Sequence, residues 1–277
     1  MTEKYDLHCH SNLSDGVLSP TELVQRAHEQ GVTALALTDH DTTAGLVEAT
    51  KVATQTGVRL IAGIELSASW QDKTLHIVGL GIDPDYPPLL EATRDLQVIR
   101  LERAEQIAAK LEKKRIPGAL EAVTKAAGDS MITRTHFADF LVSQNHVSNQ
   151  QDAFDRYLAK GKPAYVAAAW ADLDLAVNWI TQSGGVAVVA HPLRYKLTPK
   201  WMNRLLTAFK LAGGQGIEVV TGRCNVDEIN VAAKYAIAFE LAGSVGSDFH
   251  NPANPWIELG RLASLPVNIK PVWELFI

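Results

Sequence analysis

Nine side chains able to hold a metal ion are scattered through the 277 residues, and nearly every one closes an apolar run. The first run ends in His8-Cys9-His10, with Asp15 in the segment after it. Alternation along an extended strand puts His8 and His10 on one face and Cys9 on the other, with the imidazoles roughly 6–7 Å apart along the strand. Two rings so placed can share one ion. The second run leads into Asp39-His40-Asp41, the third ends at Glu65, and the next carries His76. The run V-A-V-V-A stops at His191-Pro192, and the last stops at Ser247-Asp248-Phe249-His250, again two ligand types at i and i+2.

Six of the nine histidines belong to this set, whereas His28, His136 and His146 fall in helical patterns. A lone histidine is more often a hydrogen-bonded structural group than a ligand. Nine imidazoles and carboxylates massed in one place are different, because burying them costs several kcal/mol unless they are charge-paired or metal-bound. Metal ligation is therefore expected at His8, His10, Asp15, His40, Glu65, His76, His191, Asp248 and His250. A catalytic site uses three or four protein ligands and keeps an open position, so three clustered ions sharing carboxylates fit the count. Imidazole mixed with carboxylate, without thiolate, suits manganese first, with iron, zinc or magnesium as alternatives, and disfavours calcium. Paired ions about 3.5–4 Å apart can hold a hydroxide between them and polarise a phosphoryl group. Metal-assisted attack of hydroxide on a phosphoryl group is chemistry that such a set could do.

Short apolar runs alternate with amphipathic stretches, and this must position the ligands. Strands are expected at Tyr5–Cys9, Val32–Thr38, Arg59–Leu66, Lys73–Ile82, Gly185–Ala190, Gly216–Thr221 and Ala242–Ser247. Helices are expected between most of them; Ser19-Pro20-Thr21-Glu22 has the cap, the N1 proline and the N3 glutamate of a capping box. Such alternation argues for a parallel sheet, and about seven strands argue for a closed or nearly closed barrel, with an open doubly wound sheet as the alternative. In a parallel barrel the functional groups gather at the C-terminal strand ends, where the ligands fall. The rhythm breaks at Asp83-Pro84-Asp85-Tyr86-Pro87-Pro88, after which helical patterns run to Lys160, the last of them opening in a capping box at Ser148-Asn149-Gln150-Gln151. The fold expected is a β/α barrel over 1–88 and 165–277, with 89–164 inserted as a helical cap.

The composition excludes several classes. A net charge of −5 and a sequence with 21% charged residues do not suit a protein gripping a long duplex; a small phosphorylated ligand is compatible, since bound ions supply positive charge. Cys9 and Cys224 cannot make a disulfide framework. Neither a signal peptide nor a bilayer-spanning run is apparent, so a cytoplasmic location is expected.

In order, D-L-H-C-H-S-N-L-S-D-G, L-T-D-H-D-T, G-I-E-L, L-H-I-V-G, A-H-P and G-S-D-F-H resemble the motifs of the polymerase and histidinol phosphatase (PHP) superfamily. The likeness runs from Tyr5 to Trp273 and includes I-P-G-A-L-E, T-R-T-H-F, Y-L-A-K-G-K-P-A-Y-V and P-W-I-E-L-G. It is similar to the stand-alone subgroup of nucleoside 3′,5′-bisphosphate phosphatases and 5′-to-3′ exonucleases of short oligoribonucleotides. The resemblance implies a distorted seven-stranded barrel with a helical insertion and a trinuclear site. His8, His10, Glu65 and Asp248 would hold one ion, Asp15, His40 and His250 a second, and Glu65, His76 and His191 the third. Leu193 departs from the pattern, many relatives having glycine there.

For the phosphate that is not cleaved, Arg134 and Arg194 are the first candidates, because guanidinium binds phosphate bidentately and stays charged. Arg100 and Arg103 follow, against the plainer reading of a solvated helix face beside Glu102 and Glu105. Asp15 and His40 also face the substrate in this reading. Phe137, Tyr165, Trp170 and Tyr195 are candidate stacking partners for a base. Competing readings are a phosphatase of histidinol phosphate or a similar monoester, a C–N hydrolase and a non-catalytic metal-binding module. The C–N hydrolase is disfavoured because Glu65 takes the bridging position where those sites use a lysine.

Overall fold

The computed structural model describes residues 3–128 and 130–276. The chain begins with β1 (Tyr5–Asp6), α1 (Pro20–Glu29), β2 (Ala34–Leu37), α2 (Leu46–Thr56), β3 (Arg59–Trp70) and β4 (Lys73–Leu80). Next come α3 (Pro87–Glu112), α4 (Ala119–Ala127), α5 (Arg134–Ser143), α6 (Gln150–Ala153) and a π-helical turn at Phe154–Leu158. The rest is β5 (Ala171–Asp172), α7 (Leu173–Gln182), β6 (Val186–Val189), α8 (Pro199–Leu211), β7 (Gly216–Thr221), α9 (Val226–Ala238) and β8 (Ala242–Gly246).

Seven strands pair in the order β1-β2-β3-β4-β6-β7-β8, and the short β5 adds to β3. Leu7 N–H donates to Val245 O at 2.9 Å and Asp248 N–H to His8 O at 2.8 Å, so the last strand returns to the first. The barrel expectation holds. The all-parallel expectation does not: β4 runs antiparallel to both β3 and β6. The cause is local. Gln71 and Asp72 both take positive φ, 48° and 59°, which makes the tight two-residue turn that folds β3 back on β4 as a hairpin.

Two faces of β2 show how the layers form. Ala34 and Ala36 pack with Leu7 and Ile64, while Leu35 and Leu37 lie beneath Leu23 and Val24 of α1 and Ala49 and Val52 of α2. The predicted capping box of α1 is present, with Glu22 N–H donating to Ser19 and the Glu22 carboxylate accepting from Ser19 N–H. The one predicted at Ser148 is displaced by a residue. Asn149 is the cap, and Asp152 stands at N3 where a glutamine or glutamate would complete the box.

Leu89 and Leu96 in α3 join the barrel core, whereas Ala104, Ile107 and Leu111 join a separate cluster with Val123, Phe137, Leu141 and Leu158. Arg100 stands between these two stretches. No helix among the described residues is long and apolar enough to cross a membrane.

Candidate active site

All nine predicted ligands meet at one mouth of the barrel, and Glu65 is at their centre. Its Oε2 lies 3.3 Å from His8 Nε2, 3.3 Å from His10 Nε2 and 2.8 Å from His40 Nδ1. Its Oε1 lies 3.0 Å from His76 Nδ1 and 3.2 Å from His191 Nε2. Asp248 Oδ1 is 3.5 Å from His8 Nε2 and 3.2 Å from His10 Nε2. Asp15 Oδ1 is 3.2 Å from His250 Nε2 and 3.6 Å from His40 Nε2. His76 reaches the mouth by a route unlike the others. It lies within β4 opposite Ser67, and because that strand runs backwards its early residues, not its last, stand beside the ends of the parallel strands.

Local structure makes this convergence possible. The His40–Glu65 bridge carries the β2–β3 pairing beyond Leu37. Gly246 lets β8 press on His8, since a Cβ there would lie 2.3 Å from the His8 Cβ. Gly16 does the same for the loop bearing Asp15, where a Cβ would meet His10 O at 2.2 Å. Asp39 accepts from Ser11 Oγ and Ser14 Oγ, both at 2.6 Å, and so fixes that loop.

Two features show that the donors fit cations. Among the described residues the buried polar side-chain atoms without a hydrogen-bond partner are Asp15 Oδ1, His40 Nδ1, Glu65 Oε2, His191 Nδ1 and Trp170 Nε1. Four of these five belong to the predicted ligands, and two of them, His40 Nδ1 and Glu65 Oε2, stand 2.8 Å apart without hydrogen-bond geometry, a contact better satisfied by a shared cation. Further, His8 Nε2 and His10 Nε2 face each other at 3.0 Å, an approach that only a cation or a shared proton relieves. The groups His10-Asp15-His40-His250, His8-His10-Glu65 and His40-Glu65-His76 each bring their donor atoms within 4.8 Å of one another. The cluster is capable of binding metal ions.

The electrostatics agree. Burial disfavours charge on Glu65, yet His40, His76 and His8 hold its carboxyl well below the usual range. Asp15 is held down by His40 and His250, and Asp248 by Arg194 and His8, again against burial. His250 moves the other way. Burial opposes its charge, but Asp15 and Asp248 raise it to about 9. His10, buried among His250 and His40, falls to about 3.

Glu218 was missed by the sequence reading. Its Oε1 sits 2.6 Å from His8 Nδ1 and its other oxygen accepts the His191 N–H. A carboxylate there fixes the His8 ring so that Nε2 faces the cluster, the usual arrangement behind ligating imidazoles. The available signal was a lone acid in the apolar strand G-I-E-V-V-T.

The predicted arginines separate. Arg100 is not on a solvated face: it is buried, with its Nε 2.8 Å from Asp41 Oδ2 and Nη2 3.1 Å from Ser67 Oγ. Arg194 pairs with Asp248, at the junction of two cavities. The smaller, about 260 Å³, is lined by Arg100, Arg103, Arg134 and Trp170. Among the described residues Arg103 donates only to Val166 O, and Arg134 lies over the Phe154 ring at 5.5 Å. Burial, Arg134 and Arg100 push Arg103 down to about 9. A guanidinium stays charged at neutral pH, so Arg103 and Arg134 are cations without a carboxylate partner among the described residues, in a cavity whose acids Asp15, Glu65 and Asp248 are engaged with the imidazoles and Arg194.

The aromatic candidates also divide. Phe137 is buried in the helical core and Tyr195 is engaged with His76 N–H and the His191 ring, so neither can stack on a ligand. Trp170 carries the Arg100 and Arg103 guanidinium groups 5.1 and 5.4 Å from its ring centre. Tyr165 lines neither cavity, whereas Phe154, not anticipated, lines both.

A mixed barrel with His, Asp and Glu gathered at one mouth defines a metal-binding barrel hydrolase architecture. The chain belongs to the PHP domain family, whose match spans residues 6–220. It is similar to a 5′-3′ exoribonuclease of Haemophilus influenzae, 49% identical over all of both chains. It is also similar to a 3′,5′-nucleoside bisphosphate phosphatase of Chromobacterium violaceum, 44% identical over 97% of this chain and 95% of the relative. A solved structure from Chromobacterium violaceum, described as an amidohydrolase with bound sulfate and no metal, superposes with a TM-score of 0.94. That protein is 44% identical, and the match covers 98% of this chain and 95% of the other.

Proposed function

We propose that this protein is a metal-dependent phosphoesterase. It hydrolyses the 3′-phosphoester of nucleoside 3′,5′-bisphosphates and removes 5′-nucleotides stepwise from short 5′-phosphorylated RNA. In both reactions an O–P bond forms from water, the P–O3′ bond of the first nucleoside breaks, and a proton ends on the 3′-oxygen. The observation that carries the reading is the adjacency of the Glu65-centred cluster to a cavity walled by Arg103 and Arg134. An anion held there would leave the next ester at the cluster. The named activities of the two relatives support it.

Three divalent ions, manganese first, would be held by His8, His10, Glu65 and Asp248, by Asp15, His40 and His250, and by Glu65, His76 and His191. Bound ions of this kind supply activation of water and neutralisation of phosphoryl charge. The chain's own groups do the rest. Arg103 and Arg134 hold the terminal phosphate, with the unpartnered Trp170 N–H as a further donor. Arg194, at the junction, reaches toward the phosphoryl group under attack, and Arg100 stiffens the wall behind it. Residues 89–164 act as a cap over the substrate. C–N hydrolysis is disfavoured, since no lysine lines the smaller cavity.

The test compares adenosine 3′,5′-bisphosphate with a 5′-phosphorylated trinucleotide, in the presence of manganese, for the native protein and Arg134→Ala. A charge-assisted contact contributes about 1.5–3 kcal/mol, so kcat/KM for both should fall about 10- to 100-fold. Unchanged turnover would remove Arg134 from the site, and no phosphoester hydrolysis by the native protein would sink the reading.

A further inference from the structure

We infer that the larger cavity is a groove for the part of a single-stranded ribonucleotide chain beyond the attacked phosphorus, held by Lys196 and Arg223. The inference rests on the phosphoesterase reading and deepens it, because a bisphosphate ends at that phosphorus and puts nothing into the groove.

The cavity measures about 1020 Å³ and leads away from Asp15, Arg194, Asp248 and His250. It runs between the cap segment Asn149–Phe154 and the barrel loops at 222–224 and 251–257. Pockets of roughly 300–1,000 Å³ suffice for an ordinary small ligand, so this one exceeds what a single released phosphate needs. The smaller cavity, about 260 Å³, has seven of the nine proposed ligands in its own lining and meets the larger one at Asp15, Arg194, Asp248 and His250. A confined space at the ligand cluster that opens into an extended one fits a strand shortened one unit at a time.

The chemistry of the walls points the same way. Lys196 and Arg223 are exposed on the groove and have no ion-pair or side-chain hydrogen-bond partner among the described residues. The acids on the same walls are already engaged. Asp139 accepts from Gln150 Nε2 at 2.6 Å, Glu228 accepts from Asn225 N–H at 2.9 Å, and Glu218 holds His8 and His191. These bonds leave the carboxylates charged, so a strand's phosphates would be held locally at Lys196 and Arg223, the two wall cations without a carboxylate partner among the described residues, with the amides of Gln151, Asn251 and Asn254 beside them. Both cations sit on left-handed backbone, φ 51° for Lys196 and 68° for Arg223, a conformation that non-glycine residues seldom adopt without a reason. Trp256, 69% exposed, is outside the groove's lining, on the loop that supplies Asn251, Ala253, Asn254 and Ile257 to it, and is a ring of the kind on which unpaired bases stack beyond the groove.

The experiment measures kcat and KM for adenosine 3′,5′-bisphosphate and for 5′-phosphorylated di-, tri- and pentaribonucleotides with manganese. It uses the native chain and the variant Lys196→Ala/Arg223→Ala. In parallel, anisotropy of a labelled 5′-phosphorylated pentaribonucleotide is followed on chelator-treated protein across a salt series. Native kcat/KM should rise with length, and the variant should lose about tenfold per phosphate contact on the pentamer, through KM. The anisotropy salt slope should fall by about one per contact removed. Length-independent kinetics, or an equal loss on bisphosphate and pentamer, would overturn the groove. If the native protein hydrolyses nothing, the phosphoesterase reading fails instead, and the anisotropy arm alone decides whether Lys196 and Arg223 hold a strand.

Discussion

At the scale of single residues the site is a set of imidazoles arranged around carboxylates, and its charge state without ions follows from who faces whom. His250 is raised to about 9 by Asp15 and Asp248, which together outweigh burial. His8 is raised against burial by Glu218 and Glu65, and His40 by Glu65 and Asp15. A folded-state value above the unfolded one means that protonation of His250 stabilises the metal-free fold. That stabilisation is complete below the unfolded value of about 6.5 and is lost as pH rises through about 9. A protonated imidazole cannot ligate, so uptake of ions must release protons. Calorimetric titration of manganese into chelator-treated protein, near pH 7.5, should give heats that depend on the buffer's ionisation enthalpy, with at least one proton released. Affinity should climb as pH approaches 9. Buffer-independent heats would contradict this charge assignment. Most of these proposed ligands were legible in the sequence because they close apolar runs, so position on a strand fixed their side of the barrel; Asp15 follows such a run in a loop and His76 lies inside β4. Glu218 was not, because one acid inside a strand looks the same whether it supports a ligand or meets an unrelated partner.

Elements were legible where the local pattern is self-sufficient and obscure where tertiary pairing decides. The cap of α1 needed only Ser19, Pro20 and Glu22. The direction of β4 depended on Gln71-Asp72, which lacks the glycine that marks a tight hairpin turn, so a run between two strands read as one more parallel strand. Arg100 read as one charge among many on α3; what distinguishes it is Asp41, which comes from the loop after β2 and itself sits on left-handed backbone at φ 54°. Asp41 also accepts the Ser67 N–H at 2.6 Å, so one carboxylate ties α3 to β3. Removing one partner of a buried pair leaves an uncompensated charge, at about 3–5 kcal/mol. Arg100→Met should therefore destabilise the protein by about that much in urea unfolding. Adding Asp41→Asn should return part of the loss, since the stranded charge is gone. Additive losses in the double variant would mean that the two groups do not act as a pair.

Over the whole molecule, the ligand cluster draws together segments as distant as His8 and His250, while the helices from the second half of α3 to Leu158 keep a core of their own. Beyond the continuous α3, links between the two bodies are mostly polar. Met131 N–H donates to Leu13 O at 3.0 Å, Thr135 Oγ1 donates to Asp15 at 2.9 Å, Lys160 Nζ to Asp72 O at 3.4 Å, Arg100 grips Asp41 and Ser67, and Arg100 and Arg103 lie against Trp170. Ions bind only the folded barrel, so they stabilise it by mass action, about 2.7 kcal/mol when the free ion stands at 100 times its dissociation constant. For a chain of this size each kcal/mol moves a midpoint by about 2–4 °C, which predicts a rise of several degrees for the barrel on adding manganese. The helical core holds none of the nine ligands and gains only through those contacts. Scanning calorimetry should then show one broad transition after chelation, separating with manganese into a lower event that barely moves and a higher one that tracks ion concentration. A single sharp transition shifting as a unit would mean that the two cores unfold together, with α3 and contacts such as those of Arg100 and Thr135 coupling them tightly.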